Sequence, residues 1–142
     1  MQHVQTRSTT SALVLTAVLI ALATLFTMYT KIPVPGIRGY FNVGDVVIMT
    51  SALLLGRKYG AYIGAIGPAL ADLFLGYAVF VPITFVVKGI EGYLVGTVYN
   101  NKTTTSALVA TIVGGIVIVA GYFIAEYFVF DPGVAIASIL TN

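Results

Sequence analysis

The sequence predicts an all-α integral membrane protein built as a single transmembrane domain, residues 1–142. Only 8% of the 142 residues are charged and 58% are hydrophobic, and the mean hydropathy is +1.00. Soluble domains contain about 25% charged residues, so a soluble chain of this composition would lack side chains to cover its surface. The apolar residues also form runs long enough for helices in a bilayer.

The first apolar run, about 11–30, has the length of one bilayer crossing. It is longer than a signal-peptide core of ~7–15 residues, and no polar mature domain follows it, so we expect a retained helix. Later runs are separated by a Pro/Gly-rich loop at 31–44 and by the turns GRKYG, NNKTTT and FDPG. The predicted helices are about 11–30, 45–55, 61–77, 82–99 and 106–130, with the start of a sixth from 134.

The second and sixth helices are too short to cross a bilayer alone. At 1.5 Å per residue the second spans about 17 Å, so we expect the 31–44 loop to dip into the membrane to meet it. Irregular backbone at that depth is stable when it is buried in protein or lines a wet cavity. The nine residues from 134 reach only about 14 Å, which indicates either a truncated sixth helix or an interfacial stub.

Basic residues are divided unequally between the two sides of the predicted spans. The positive-inside rule therefore places the N-terminus in the cytoplasm of a multi-pass protein of a prokaryotic plasma membrane. One side carries Arg7, Arg57, Lys58 and Lys102, and the other carries Lys31 and Arg38.

Four ionisable residues fall inside the predicted spans, all in the outer half: Asp72, Lys88, Glu91 and Glu126. Such groups cost about 2.5–3.5 kcal/mol each at a helix centre, so they normally face a partner or a wet cavity. A cluster that only fixes helix packing is one interpretation. The other is an outward-open polar pocket, whose excess of acids suits a ligand with an amine or a protonated ring nitrogen. A proton on one carboxyl group would also balance these charges.

Aromatic residues in the loop and the outer segments are consistent with a pocket for a flat ring. For any single tyrosine, a place in the aromatic belt at the membrane interface is an equally ordinary explanation. The residues are Tyr40, Phe41, Tyr77, Phe80, Tyr93 and Tyr122.

The sequence argues against several function classes. It has no cysteine and one histidine, His3, so we expect no metal site, no cofactor and no Ser/His/Asp catalytic set. It has no phosphate-binding loop for ATP hydrolysis, and its net charge of +2 is too small to indicate nucleic acid binding. An enzyme is therefore not expected. On the first helix, Ala17 and Ala21 have the small-xxx-small spacing that lets a partner helix approach closely.

Residues 39–96 resemble the substrate-binding S components of energy-coupling-factor (ECF) vitamin transporters, in particular the riboflavin-transporter-like branch. The resemblance is carried by NVGD at the start of the second helix, LLLGRKYGAYIGAIGPALADL and PITFVVKGIEG. It implies a six-helix bundle, here with its sixth helix truncated, that binds a vitamin near the outer face under the 31–44 loop. It also implies a complex with a transmembrane T component and two cytoplasmic ABC ATPases, in which Ala17 and Ala21 contact the T component.

We therefore predict high-affinity uptake of a vitamin or vitamin precursor. The acidic excess disfavours pantothenate and favours a pyridoxine-type or hydroxymethylpyrimidine-type ring, with riboflavin possible. One alternative is an assembly subunit whose charges only pack helices, and another is a proton-linked carrier, for which the inner half shows no polar path. The predicted ligand-binding residues are Tyr40, Asn42, Asp72, Tyr77, Thr84, Lys88, Glu91, Tyr122 and Glu126.

Overall fold

The computed structural model describes residues 9–33, 40–100 and 102–129, and the predicted start of a sixth helix from 134 lies outside them. The described residues form five helices and one short antiparallel ribbon. These elements are α1 (Thr9–Tyr29), β1 (Lys31–Pro33), β2 (Tyr40–Asn42), α2 (Val43–Leu55), α3 (Arg57–Phe74), α4 (Phe80–Val98) and α5 (Thr104–Val129).

The main difference from the predicted boundaries lies between α2 and α3. The GRKYG segment was expected to separate the two helices, but only Gly56 does so, and α3 already begins at Arg57. Gly56 has φ +88°, a left-handed conformation that glycine adopts without steric cost. Its N–H still donates to the carbonyl oxygen of Ala52 at 2.9 Å, so the chain turns sharply without a loop.

The strands β1 and β2 pair antiparallel, with Lys31 opposite Asn42, where only an irregular loop was expected. The ribbon leads directly into α2. Asn42 has extended backbone, and its side chain accepts a 2.8 Å hydrogen bond from the N–H of Gly44. This N-cap satisfies one of the free N–H groups at the start of the helix.

Three of the described helices, α1, α4 and α5, are long and apolar enough to cross a membrane. The helix α2 has only 13 residues. The 18 residues of α3 include the charged Arg57, Lys58 and Asp72. Many large apolar side chains on the outer faces are exposed, including Leu54, Ile116 and Phe128, which is the pattern expected of a surface in contact with lipid tails.

The helix α3 lies at the centre of the bundle and packs against α1, α2 and α4. Glycines set its distance from α4. A Cβ atom on Gly92 would overlap the backbone of Gly60, and one on Gly64 would overlap the carbonyl oxygen of Lys88. The small-residue spacing on these helices therefore serves internal packing, which brings the backbone that carries Lys88 directly against α3.

The helix α1 packs one polar stripe against the bundle and leaves the opposite face open. Thr16, Ala23, Thr24 and Thr27 are buried. The hydroxyl of Thr24 donates to the carbonyl oxygens of Ile20 in its own helix and Gly67 in α3, both at 2.9 Å.

Candidate ligand-binding cavity

One end of the bundle encloses a cavity of about 310 Å³. It lies between the end of α1, the start of α2, the end of α3, the start of α4 and the second half of α5. Because neighbouring helices run in opposite directions, residues far apart in the sequence meet at this end. The lining residues are Thr27, Asn42, Asp45, Pro68, Asp72, Leu75, Tyr77, Phe80, Thr84, Lys88, Ile118 and Tyr122.

Lys88 is the basic centre of the cavity wall. Its Nζ lies 2.5 Å from Asp45 Oδ1 and 3.3 Å from Glu91 Oε2. The contact with Asp45 is a hydrogen bond, whereas the contact with Glu91 has the distance of an ion pair without hydrogen-bond geometry. The side chains of Lys88 and Glu91 are 4% and 0% exposed, and that of Asp45 is 19% exposed. Asp45 is therefore the acid of this cluster that faces the cavity.

A second polar chain crosses the cavity beside this cluster. The hydroxyl of Thr84 donates to Asp72 Oδ2 at 2.5 Å and lies 2.9 Å from the hydroxyl of Tyr122. The ring of Tyr122 in turn lies 5.8 Å from Lys88 Nζ, a distance at which the cation and the ring attract each other. The lysine cluster and the threonine chain thus form one continuous polar wall.

The described part of this wall contains two carboxylates, Asp45 and Asp72, and one ammonium group, Lys88, with a third carboxylate, Glu91, directly behind it. A ligand that donates hydrogen bonds or carries positive charge therefore complements the wall. Leu75, Phe80 and Ile118 supply apolar lining, which suits the faces of a ring. Polar groups that fix orientation in a mostly apolar cleft are typical of small-molecule sites.

Local sequence explains the position of Asp45, a residue that was not among the predicted ligand contacts. The Asn42 cap starts α2 at Val43, so Asp45 falls in the first helical turn, where the helix dipole favours a negative charge. The predicted helix began at residue 45, so this acid was expected to be its first residue. The sequence identified the NVGD motif. It did not identify the group that Asp45 contacts, because that depends on how α4 packs.

Thr27 is a further lining residue that the sequence did not indicate. It is 8% exposed, and its hydroxyl makes no hydrogen bond with any described residue. The hydroxyl lies against Gly44, where a Cβ atom would overlap it. Threonines are ordinary in membrane helices because they can bond to their own backbone, so sequence alone carries no signal for this one.

The predicted ligand-binding residues fall into three groups. Six of the nine line the cavity: Asn42, Asp72, Tyr77, Thr84, Lys88 and Tyr122. Glu91 lies behind the wall, in contact with Lys88. Tyr40 is placed only by its backbone in β2, and Glu126 only by its backbone in α5, because their side chains lie outside the described part of the structure.

One aromatic residue was assigned to the wrong region. Tyr93 was expected along the outer segments, but its ring lies 5.8 Å from the guanidinium of Arg57. Arg57 starts α3 and is therefore at the end of the bundle opposite the cavity. The helix α4 is long enough that residues nine apart, such as Thr84 and Tyr93, lie about 14 Å apart along its axis.

The described residues form a polar cavity of the size of a small molecule. Among the described residues, no group of three His, Asp or Glu side chains could hold a metal ion. The fold and the cavity thus define a class, a helical membrane protein that encloses a small polar site at one end of its bundle. Residues 7–142 match the ECF-type riboflavin transporter, S component, and the chain belongs to this family.

Two relatives agree with this assignment. A protein of Pyrococcus woesei, named only as an uncharacterised protein in the gap 3′ region, is 43% identical over 117 residues, which cover 80% of this chain and 77% of the relative. The thiamine precursor transporter HmpT of Lactococcus lactis subsp. cremoris MG1363 is 33% identical over 129 residues, covering 89% of this chain and 71% of the relative. The prediction that this protein is a transporter S component, and not an enzyme, is thereby confirmed.

Proposed function

We propose that this S component captures a vitamin precursor with one small nitrogen-containing ring, of the hydroxymethylpyrimidine or pyridoxine type. The observation that carries the proposal is the acid-rich cavity of about 310 Å³. This volume is at the lower end of the ~300–1,000 Å³ found for ligand pockets. A single ring with short substituents fills it, whereas riboflavin combines three fused rings with a sugar-alcohol chain.

The charge of the cavity supports the same choice. Asp45 and Asp72 both line it, against the single ammonium group of Lys88. An amine or a protonated ring nitrogen would pair with these acids, while the carboxylate of pantothenate would be repelled. The name of the relative HmpT, a thiamine precursor transporter, also supports a pyrimidine ring.

The predicted orientation is part of the proposal. Arg57 and Lys58 are exposed at the turn between α2 and α3, at the end of the bundle away from the cavity. The positive-inside rule puts this turn in the cytoplasm. The cavity then opens toward the outer side of the membrane.

The test is calorimetry on the purified chain in detergent with riboflavin, pyridoxine, hydroxymethylpyrimidine and pantothenate. We expect sub-micromolar binding of one of the two single-ring compounds and none of pantothenate. If riboflavin alone bound tightly, the proposed single-ring substrate class would be wrong. The substrate would then be riboflavin, which the family description names.

We also propose that the open face of α1 contacts the T component of an importer that includes two cytoplasmic ABC ATPases. Ala17 and Ala21 are both exposed on this face, where bulky side chains would hold a partner helix away. Substitution of both by leucine should abolish co-purification with the T component while ligand binding stays unchanged. Val109→Leu, an exposed apolar change on α5, is the control and should leave the complex intact.

The alternative is an assembly subunit whose charges only pack helices. It explains the position of Glu91, but it does not explain the cavity beside Asp45 and Asp72. Glu91 is fully buried, as a packing group would be. The two aspartates bond to Lys88 and Thr84 of α4, but they also line a space of ligand size, which helix packing alone does not explain.

A further inference from the structure

Glu91 is the least explained group near the cavity. It is fully buried, and neither carboxylate oxygen makes a hydrogen bond with a described residue. Buried polar atoms in native proteins are nearly always hydrogen-bonded, so an exception requires an explanation. Glu91 does not line the cavity, and direct contact with a ligand therefore does not provide one.

The position of Lys88 provides the explanation. Its Nζ bonds to Asp45 at 2.5 Å and stands 3.3 Å from Glu91, so it lies between an acid on the cavity side and an acid behind the wall. An ammonium group on a flexible four-carbon chain can shift by an ångström without any backbone movement. Glu91 has two oxygens free to accept hydrogen bonds from it.

We propose that Glu91 is a second counter-ion for Lys88. When an amino group of the ligand binds Asp45, the ammonium group of Lys88 moves away from Asp45 and pairs with Glu91. The inference rests on the proposed function, because it requires a ligand with an amine or a protonated ring nitrogen. An amino group that donates hydrogen bonds to Asp45, or a protonated ring nitrogen, competes with Lys88 for the same carboxylate. A buried ammonium group without a partner is strongly unfavourable, so the exchange proceeds only because a second carboxylate lies within reach.

This makes Glu91 a positioning residue for selectivity. It never touches the ligand, yet it determines how readily Asp45 becomes available. A ligand that lacks the amino group leaves Lys88 on Asp45 and gains nothing from Glu91. The cavity therefore selects for the amine through the exchange of one lysine between two acids.

The test compares two probes on the full chain by calorimetry. One is hydroxymethylpyrimidine with its exocyclic amino group, and the other is the same ring with hydrogen in place of that group. For Glu91→Gln we expect about tenfold weaker binding of the amino ring and less than about twofold change for the other ring. Equal losses for both rings, or no loss for either, would overturn the proposal.

A second variant keeps the test valid if Glu91→Gln does not fold. Lys88→Met with Glu91→Gln removes one positive and one negative charge, so Asp45 is available without displacement of a lysine. We expect this double variant to bind the amino ring at least as tightly as the unmodified chain. Loss of binding would show that Lys88 itself holds the ligand and would refute the exchange.

The two proposals fail in different ways. If the unmodified chain binds both rings equally well, the ring-binding function stands and the exchange is wrong. If it binds neither ring but binds riboflavin, the proposed substrate class and the exchange are both wrong.

Discussion

The two ends of the α3–α4 pair are built on opposite principles. At one end Gly60 meets Gly92, and Gly96 meets the backbone of Arg57, so closely that no Cβ atom fits between the helices. At the other end Asp72 and Thr84 extend across the gap and border the cavity. One pair of helices thus combines a tight glycine contact, which fixes their relative position, with an open end that has room for a ligand.

The difference shows why the charges lie where they do. A polar side chain needs space and partners, which the glycine contact does not offer. Lys88 stands where the two regions meet: its backbone oxygen lies against Gly64, while its side chain reaches the cavity wall. Close helix packing at one end therefore sets the position of the basic group at the other.

The largest effect is expected from Lys88→Met, at the residue where the glycine contact meets the cavity. The substitution leaves Glu91 buried without a counter-charge, and loss of one partner of a buried pair costs about 3–5 kcal/mol. We expect a marked fall in the midpoint of thermal unfolding, measured in detergent. The double variant with Glu91→Gln should recover most of the loss, and equal instability of the two variants would contradict the pairing.

An intermediate effect is expected from Gly92→Ala, which tests the glycine contact alone. The new methyl group would meet the backbone of Gly60, which has no side chain that could move aside. Overpacking of this kind costs about 1–3 kcal/mol, visible as a lower thermal midpoint.

Gly115→Ala is the matched control for this change. Among the residues that the structure describes, none has an atom within 4 Å of a Cβ atom placed on Gly115. Alanine favours a helix over glycine by about 1 kcal/mol, so stability should stay the same or rise. A similar loss at Gly92 and Gly115 would show that the close contact has no special role.

The smallest effect is expected from Thr24→Val, which removes the hydrogen bond from α1 to Gly67 of α3. Interhelical hydrogen bonds in membrane proteins contribute about 0.6 kcal/mol on average. Thr16→Val is the control, because Thr16 is equally buried at 7% exposure and, within the described part of the chain, its hydroxyl donates to Ala12 of its own helix and to no other helix. Denaturant unfolding should separate the two variants, and identical midpoints would refute a role for the link between α1 and α3.

Much of the site was predictable because depth in a membrane follows from residue counting. Asp72 and Lys88 were expected in the outer half of the membrane and Tyr122 in the outer segments, and all three line the cavity. Counting along one helix does not show which way a side chain points around its axis. For this reason Glu91 was expected at the cavity, whereas it lies behind Lys88. Tyr93 differs in its depth, because it lies about 14 Å further along α4 than Thr84, beside Arg57.

Hydropathy and motif spacing are local properties of the chain, so the membrane class, the polar level of the bundle and the family could be predicted from them. The pairing of Lys88 with Asp45, a residue 43 positions away, could not, because it depends on how the helices pack. The partner of a buried charge depends on which helix faces meet. Two features decide this together: the glycine contact between α3 and α4, and the Asn42 cap of α2. A hydrophobic pattern shows that a charge needs a partner, but the packing of the helices selects which one.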